Sequence, residues 1–494
     1  MISMHLPVYV LLLLLAMALF FPLATKLSNL EIKIYTTYSL VVASLLSIST
    51  VVRVLQTGAY VYHFGLRDPM IGVEFVVDEF SAVMVALVMI LSTLIVFYSY
   101  RDIEHEIYPH LVPGYYTLVF LLMFSMIGMI LTNDLFNLYV FMEILSLTSC
   151  GIVSIKRKKE NLLASMKYLM LGTIGSVSIL MGIAFLYMVT GNLNMTINYE
   201  IIQEVWHVYP RNILVALGFI LTGFGIKAAV FPLHTWLPDA HSTAPTPSSA
   251  LLSGLVVKIY LFAMIKLIYR VIGFDIVTQL DIPLFLTYFA MVGMIMGSVF
   301  AIGQKDMKRI LAYSSVAQIG YIVLGIGLAT ELGLSVALFH VVTHALMKSA
   351  LFLSAGSIIY QTGKRDVRYF EGIGYQMPVS MTVFTIGALG MIGIPGINGF
   401  MSKWYLSLAV LDAGRPLILL VILLSSFLNA VYYLPIIISA FLKESADREN
   451  VMIVDDVPKS MTVPMSIIAG LCILIGFFPQ LIMTFIERAI PTFF

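Results

Sequence analysis

The sequence predicts an all-α polytopic membrane protein of about fourteen transmembrane helices, two of them broken. Three observations predict it. Of the 494 residues, 60% are hydrophobic and 11% charged, with mean hydropathy +0.98; soluble domains carry roughly 25% charged residues. Apolar runs of about 20 residues follow one another without a long polar stretch between them. Two of the runs are interrupted by proline and glycine.

The runs centre near residues 15, 45, 88, 122, 143, 177, 220, 257, 293, 320, 347, 393, 428 and 472. The first, within 1–24, has no basic segment ahead of it and is followed by Lys26, so it reads as a membrane helix rather than a secretory leader. Only helices and closed barrels satisfy their backbone in lipid, and these runs are too long and continuous for barrel strands. The run near 220 must break just after Lys227. Pro232 lacks an N–H, and its ring clashes with the carbonyl of Ala228. The run near 393 is broken between Gly390 and Phe400, around Pro395. These are the seventh and twelfth runs. An offset of five turns the second copy upside down, which predicts an inverted repeat.

Basic residues predict the orientation. One alternate set of loops holds Lys26, Lys33, Arg101, Lys156, Arg157, Lys158, Lys159, Lys305, Lys308, Arg309, Lys364, Arg365, Arg368, Lys443, Arg448 and Lys459. The opposite set holds Arg53, Arg67, Arg211, Arg270, Arg415 and Arg488. The richer set faces the cytoplasm, which places both termini outside the cell membrane.

Composition also excludes function classes. The chain has 28 basic and 27 acidic residues, net +1, so it lacks the basic patch a nucleic-acid partner wants. Cys150 and Cys472 lie far apart in apolar runs and suggest neither a disulfide framework nor a metal cluster. No flavin, haem or cluster motif is present, and no cofactor is expected on this chain.

With the loop charges subtracted, Glu143, Lys167, Lys227, Lys258, Lys266, Lys348 and Lys403 remain within the apolar runs, with His340 and His344. A charge at the bilayer centre costs about 2.5–3.5 kcal/mol, so such residues normally mark ion paths or proton relays. Lys167 and Lys266 lie near helix ends and are expected to snorkel to the interface. Glu143 reads either as a protonated carboxyl bonded to a neighbouring helix or as one end of a switchable ion pair. Lys227 and Lys403 each lie close to a break. Lys227 could simply cap the broken helix's carbonyls; alternatively it exchanges a proton there, because lost hydration disfavours the ammonium. Lys258 is mid-helix. His340, His344 and Lys348 recur at i, i+4 and i+8, one stripe drifting about 40° per step. A histidine pair at i, i+4 also suits zinc, but no His-Glu-x-x-His pattern accompanies it, and a proton relay is favoured. Coulomb coupling would link the members, each charge change shifting the next site.

Several stretches carry a family resemblance. They are Asn133 to Glu143, Ala244 to Gly254, Asp306 to Ser315, His340 to Lys348, and above all Lys227 through Phe231-Pro232-Leu233-His234-Thr235-Trp236-Leu237-Pro238-Asp239-Ala240-His241. On them the chain resembles the antiporter-like subunits shared by Mrp-type sodium/proton antiporters, respiratory complex I and membrane-bound hydrogenases. The resemblance spans nearly the whole chain. It implies fourteen core helices with two inverted five-helix repeats. It implies that Glu143 is the essential glutamate and Lys227 its partner, that Lys258 with His340 and His344 forms the central relay, and that Lys403 is the terminal lysine. His234, Asp239 and His241 are secondary polar candidates. A lysine at 403 tilts the resemblance toward Mrp D-like or hydrogenase-type proteins. Gln318 stands where a second Glu–Lys pair would need an acid.

The organisation expected is 1–111 for the first three helices, 112–272 and 273–442 for the two repeats, and 443–494 for a cytoplasmic loop and the last helix. The resemblance implies partners: other membrane subunits, including NiFe or iron–sulfur subunits in a hydrogenase-type complex. Its substrates are H⁺, with Na⁺ in the antiporter members. A free-standing transporter of a small organic solute is the alternative, since broken helices and buried charges suit that class too.

Overall fold

The computed structural model of the chain describes residues 2–23, 27–64, 72–442 and 454–494. Lys26, Arg67, Lys443 and Arg448, which contribute to the predicted orientation, lie outside the described residues. The first helices are α1 (Leu6–Leu23), α2 (Asn29–Thr57) and α3 (Glu79–Glu106). Then come α4 (Val112–Leu131), α5 (Leu135–Ser154), α6 (Lys159–Thr190) and a short α7 (Met195–Val205). The first broken element is α8 (Pro210–Lys227) followed by α9 (Leu237–Thr243). Next are α10 (Thr246–Ile272), α11 (Phe274–Gln279), α12 (Ile282–Ile302), α13 (Met307–Gly327) and α14 (Glu331–Thr362). The second broken element is α15 (Pro378–Ile392) and α16 (Asn398–Asp412). The chain ends with α17 (Leu417–Leu442), α18 (Lys459–Phe477) and α19 (Gln480–Ala489).

Among the described residues twelve helices are long and apolar enough to cross a membrane. Thirteen of the fourteen centres read from sequence fall inside helices, and the one near 393 falls on the second break. The apolar windows of α10 and α14 are completely buried, while those of α1 and α2 are one-third buried. The helices with lysines and histidines in mid-span, α10 and α14, therefore sit at the centre of the bundle and α1 and α2 at its rim, since lipid solvates apolar side chains and not charges.

The helical bundle expected from the sequence is accompanied by one small strand pair. Tyr60–His63 and Glu74–Val77 pair as an antiparallel hairpin with Tyr60 opposite Val77 and His63 opposite Glu74. These aromatic and β-branched residues suit strands, and they sit beyond the end of α2 where no helix competes.

Both breaks lie where proline and glycine predicted them. The helix α8 ends at Lys227, and Ala228 is its C-cap. Ala229 takes a left-handed conformation (φ 54°). The freed carbonyls are re-satisfied locally: Val230 N donates to Gly225 O at 2.8 Å, and the Trp236 indole donates to Ile226 O at 2.8 Å. At the second break Gly393 and Gly396 take φ 95° and 91°, reached at no steric cost only by glycine. A Cβ on Gly399 would lie 1.9 Å from Gly390 O, so α15 and α16 meet there through bare backbone.

Candidate functional site

Asp134 caps the start of α5 by accepting from Asn137 N at 2.6 Å, and this sets the helix phase that aims Glu143 at α8. Glu143 Oε1 lies 3.8 Å from Lys227 Nζ. Lys227 instead donates to Ser146 Oγ, one turn further along α5. Ser146 Oγ in turn contacts Tyr260 OH at 3.2 Å. The lysine side chain is fully buried and the glutamate 30% exposed. Between them is a cavity of about 10 Å³ lined by Glu143, Ser146, Cys150, Tyr168 and Lys227, the size of about one water molecule. The pair is thus open but close: a small side-chain rotation exchanges the hydroxyl for the carboxylate.

Lys258 lies just beyond a stretch of π-helix, Leu252–Val256. The carbonyl of Ser253, within that wider winding, accepts from Lys258 Nζ. Ser253 Oγ meets Ser315 Oγ of α13 at 2.9 Å. The neighbouring Ser314 accepts from Lys348 Nζ, which also donates to Leu311 O at 2.7 Å. Hydroxyls of α13 thereby join the lysines of α10 and α14.

On α14, His340 and His344 stack with ring centroids 5.7 Å apart. Neither nitrogen of His344 has a hydrogen-bonding partner. His340 Nε2 faces Gln318 Oε1 at 3.1 Å, and Nδ1 faces Ser402 Oγ at 2.9 Å. An amide oxygen only accepts, so this arrangement puts hydrogen on Nε2. Ser402 has one hydroxyl hydrogen and two acceptors in reach, His340 Nδ1 and Gly399 O at 3.0 Å. It donates to the ring when the imidazole is neutral and to Gly399 when the imidazole is protonated.

Lys403 follows Ser402 directly. Its Nζ donates to Met391 O (2.7 Å), Ile392 O (3.1 Å) and Ser426 Oγ (3.0 Å), and it lies 4.8 Å from the centre of the Tyr321 ring. The capping role considered for Lys227 is therefore taken by Lys403, while at the first break an indole does that work. The two lysines also lie on opposite sides of their breaks in sequence.

The structure thus brings Glu143, Lys227, Lys258, His340, His344, Lys348 and Lys403 into the buried helices around α10, α13 and α14. Among the described residues no direct hydrogen bond joins Tyr260 to Lys258 or Lys348 to His344. The secondary candidates fare differently. The ring of His234 packs against Phe231 and Phe300 at 5.2 and 5.9 Å. Asp239 makes ion pairs with Lys167 (2.8 Å) and Arg309 (2.9 Å), a partly exposed clamp between α6 and α13. Of the three, His241 alone is fully buried.

Two expectations are corrected. Lys266 does not snorkel: it is 2% exposed and donates to Ile130 O (3.1 Å) and Thr132 O (2.6 Å), capping α4. Of the charges counted with the loops, Lys308 is fully buried and the Lys156 side chain is only 8% exposed, both among helix ends. Reading the sequence missed the hydroxyls of Ser146, Ser253, Ser314, Ser402 and Ser426. Only Ser146, three residues after Glu143, and Ser402, adjacent to Lys403, carried a positional signal.

A membrane bundle with lysines and histidines buried at its centre and two broken helices has the architecture of the antiporter-like membrane subunits. Comparison with known proteins agrees. Residues 132–429 match the family described as NADH:quinone oxidoreductase/Mrp antiporter, transmembrane, and the chain belongs to that family. It is 36% identical over 450 residues to the N subunit of NADH-quinone oxidoreductase from Desulforudis audaxviator, covering 87% of each chain. It is 30% identical to the D subunit of the Na⁺/H⁺ antiporter from Alkalihalophilus pseudofirmus, over 85% of this chain and 83% of that one. Among solved structures, a chain of the archaeal membrane-bound sulfane sulfur reductase superposes with TM-score 0.91 at 29% identity, covering 99% and 98% of the two chains. A chain of the Mrp complex from Dietzia superposes with TM-score 0.90 at 25% identity, covering 100% and 98%.

Proposed function

We propose that the chain moves protons across the cell membrane as one subunit of a multisubunit complex, either an Mrp-type antiporter exchanging Na⁺ for H⁺ or a redox-driven assembly with iron–sulfur or NiFe partners. The observation that carries the reading is the state of the lysines. Lys258, Lys348 and Lys403 have no carboxylate partner among the described residues and are held by carbonyl and hydroxyl oxygens. Such a site survives loss of a proton. Lys403 donates three bonds as an ammonium; as an amine it keeps its carbonyl bonds and accepts from the Ser426 hydroxyl. A buried ion pair would instead be left with an uncompensated charge.

Glu143 and Lys227 supply the switch. When Lys227 turns from Ser146 to Glu143, its positive charge is neutralised, and the repulsion it exerts along the row weakens. The proton on the central lysines is then retained; when the pair reopens, it is driven toward Lys403. The two inverted repeats, 112–272 and 273–442, would provide the two half-channels, with both termini outside.

The test is transport by the native complex in proteoliposomes. Lys227→Ala and Glu143→Gln are expected to abolish proton movement, and Asp239→Asn to leave it. Wild-type rates in the first two would overturn the scheme. A chain that transports an organic solute when purified alone would replace it with the free-standing transporter.

A further inference from the structure

One buried ionisable cluster lies outside the row just described. It sits where the end of α3, the end of α5 and the start of α13 meet. Asp102 and Glu106 are one turn apart on α3. Asp102 is 1% exposed, and its Oδ2 has no hydrogen-bond partner. Glu106 pairs with Lys156 and accepts from Thr246 Oγ1 at 3.4 Å; both side chains keep a small water-facing edge, 14% and 8% exposed. Lys308 is completely buried and donates to Ala244 O at 3.0 Å. These four groups and Arg365 act on one another electrostatically, and Tyr98 and Tyr115 also face the acids.

Three residues before Ala244 stands His241. It is fully buried, and neither ring nitrogen has a partner. The charges that act on it are Lys258, Lys348 and Lys308, and its ring is walled by Trp236 and Phe352, each 6.1 Å away. A cluster that merely stapled helices would leave neither the bare Asp102 oxygen nor a bare imidazole, because unpaired buried polar atoms cost about 1–3 kcal/mol each. A group that takes a proton at one nitrogen and releases one from the other must keep both free.

We propose that Asp102, Glu106, Lys156 and Lys308 form the proton-loading site of the cytoplasmic face, and that His241 carries the proton from it to Lys258 or Lys348. This rests on the proton-transport reading above. The balance is simple. A hydrated proton (H3O⁺) arriving at the Glu106–Lys156 edge protonates the Asp102 carboxylate and leaves water, and the carboxyl passes the proton to the Lys308 amine. The Lys308 ammonium protonates one nitrogen of His241, the other nitrogen releases its proton to the amine of Lys258 or Lys348, and a flip of the ring, now the opposite tautomer, restores the starting arrangement.

The experiment uses the intact complex in proteoliposomes, with pH set separately on each face. In Asp102→Asn and His241→Gln the rate is expected to fall about tenfold or more, with an altered dependence on cytoplasmic-face pH and an unchanged dependence on outer-face pH; Asp102→Glu restores the wild-type profile. Wild-type rates and profiles in both variants overturn the proposal, as does a loss equal for both faces that Asp102→Glu does not restore. If Asp102→Asn fails to assemble, His241→Gln decides alone, since it removes no bond or ion pair. A wild-type complex that moves no protons overturns the underlying reading and this site with it, and is distinguished by the wild type itself failing.

Discussion

Lys227 is held by a hydroxyl while its carboxylate waits 3.8 Å away. The Ser146 oxygen therefore competes with Glu143 for the same ammonium. Removing it in Ser146→Ala takes away a hydrogen bond to a charged group, worth about 1.5–3 kcal/mol, and the lysine falls onto Glu143. A pair locked shut no longer switches, so transport is expected to slow about tenfold while the amount of assembled complex stays constant; an unchanged turnover would show that Ser146 is a bystander. This residue also marks the limit of what can be read from sequence. Glu143, Lys227, Lys258 and Lys403 were legible because any charge stands out against an apolar run. Ser146 and Ser402 were marked only by their places beside Glu143 and Lys403, and Ser253, Ser314 and Ser426 not at all, because a serine hydroxyl is easily satisfied by a carbonyl one turn back in its own helix, as Ser335 is by Glu331 O at 2.7 Å. Asp102 and Lys308 were hidden for a different reason. At a helix end a buried charge and a solvated one look alike in sequence.

At the scale of elements, the breaks were legible because proline removes a donor and forces a stop. What fills the broken ends was not, because the partners arrive from elsewhere in the chain. Trp236 Nε1 donates to Ile226 O, which also accepts from Ala229 N at 3.1 Å, so Trp236→Phe keeps the ring packing on Tyr168, centroids 4.1 Å apart, and removes one of the two hydrogen bonds to that carbonyl. The expected loss is about 0.5–1.5 kcal/mol, seen as a lower thermal midpoint of the purified complex and faster amide exchange over 224–237. At the second break, Gly399→Ala drives a methyl into Gly390 O, which cannot yield. It is expected to abolish assembly, measured as loss of the subunit from the detergent-extracted complex. Gly114→Ala, where nothing lies within 4 Å, is the matched control and should assemble normally. The π-helical windings in α10 likewise escaped the sequence, because one extra residue per turn leaves hydrophobic patterning unchanged in a helix that is buried all round.

For the whole molecule, the proposed orientation rests on the asymmetry of the basic loops, and the chain supplies a clean way to test it. Its two cysteines are buried, Cys150 at 7% and Cys472 at 0% exposure, so a membrane-impermeant maleimide should leave the wild-type protein unlabelled in sealed vesicles. Arg157, in the loop between α5 and α6, and Arg211, at the start of α8, are both exposed. They belong to opposite sets of loops. A cysteine replacing Arg157 should label only in inside-out vesicles, and one replacing Arg211 only in right-side-out vesicles. Both substitutions remove exposed charges without any ion-pair partner among the described residues, and such changes usually alter stability by no more than about 0.5 kcal/mol, so labelling reports topology rather than damage. The opposite pattern would invert the molecule. It would also turn the Asp102–Lys308 cluster toward the outside, and the direction of proton loading with it, because that cluster lies on the same side of the bundle as Arg157.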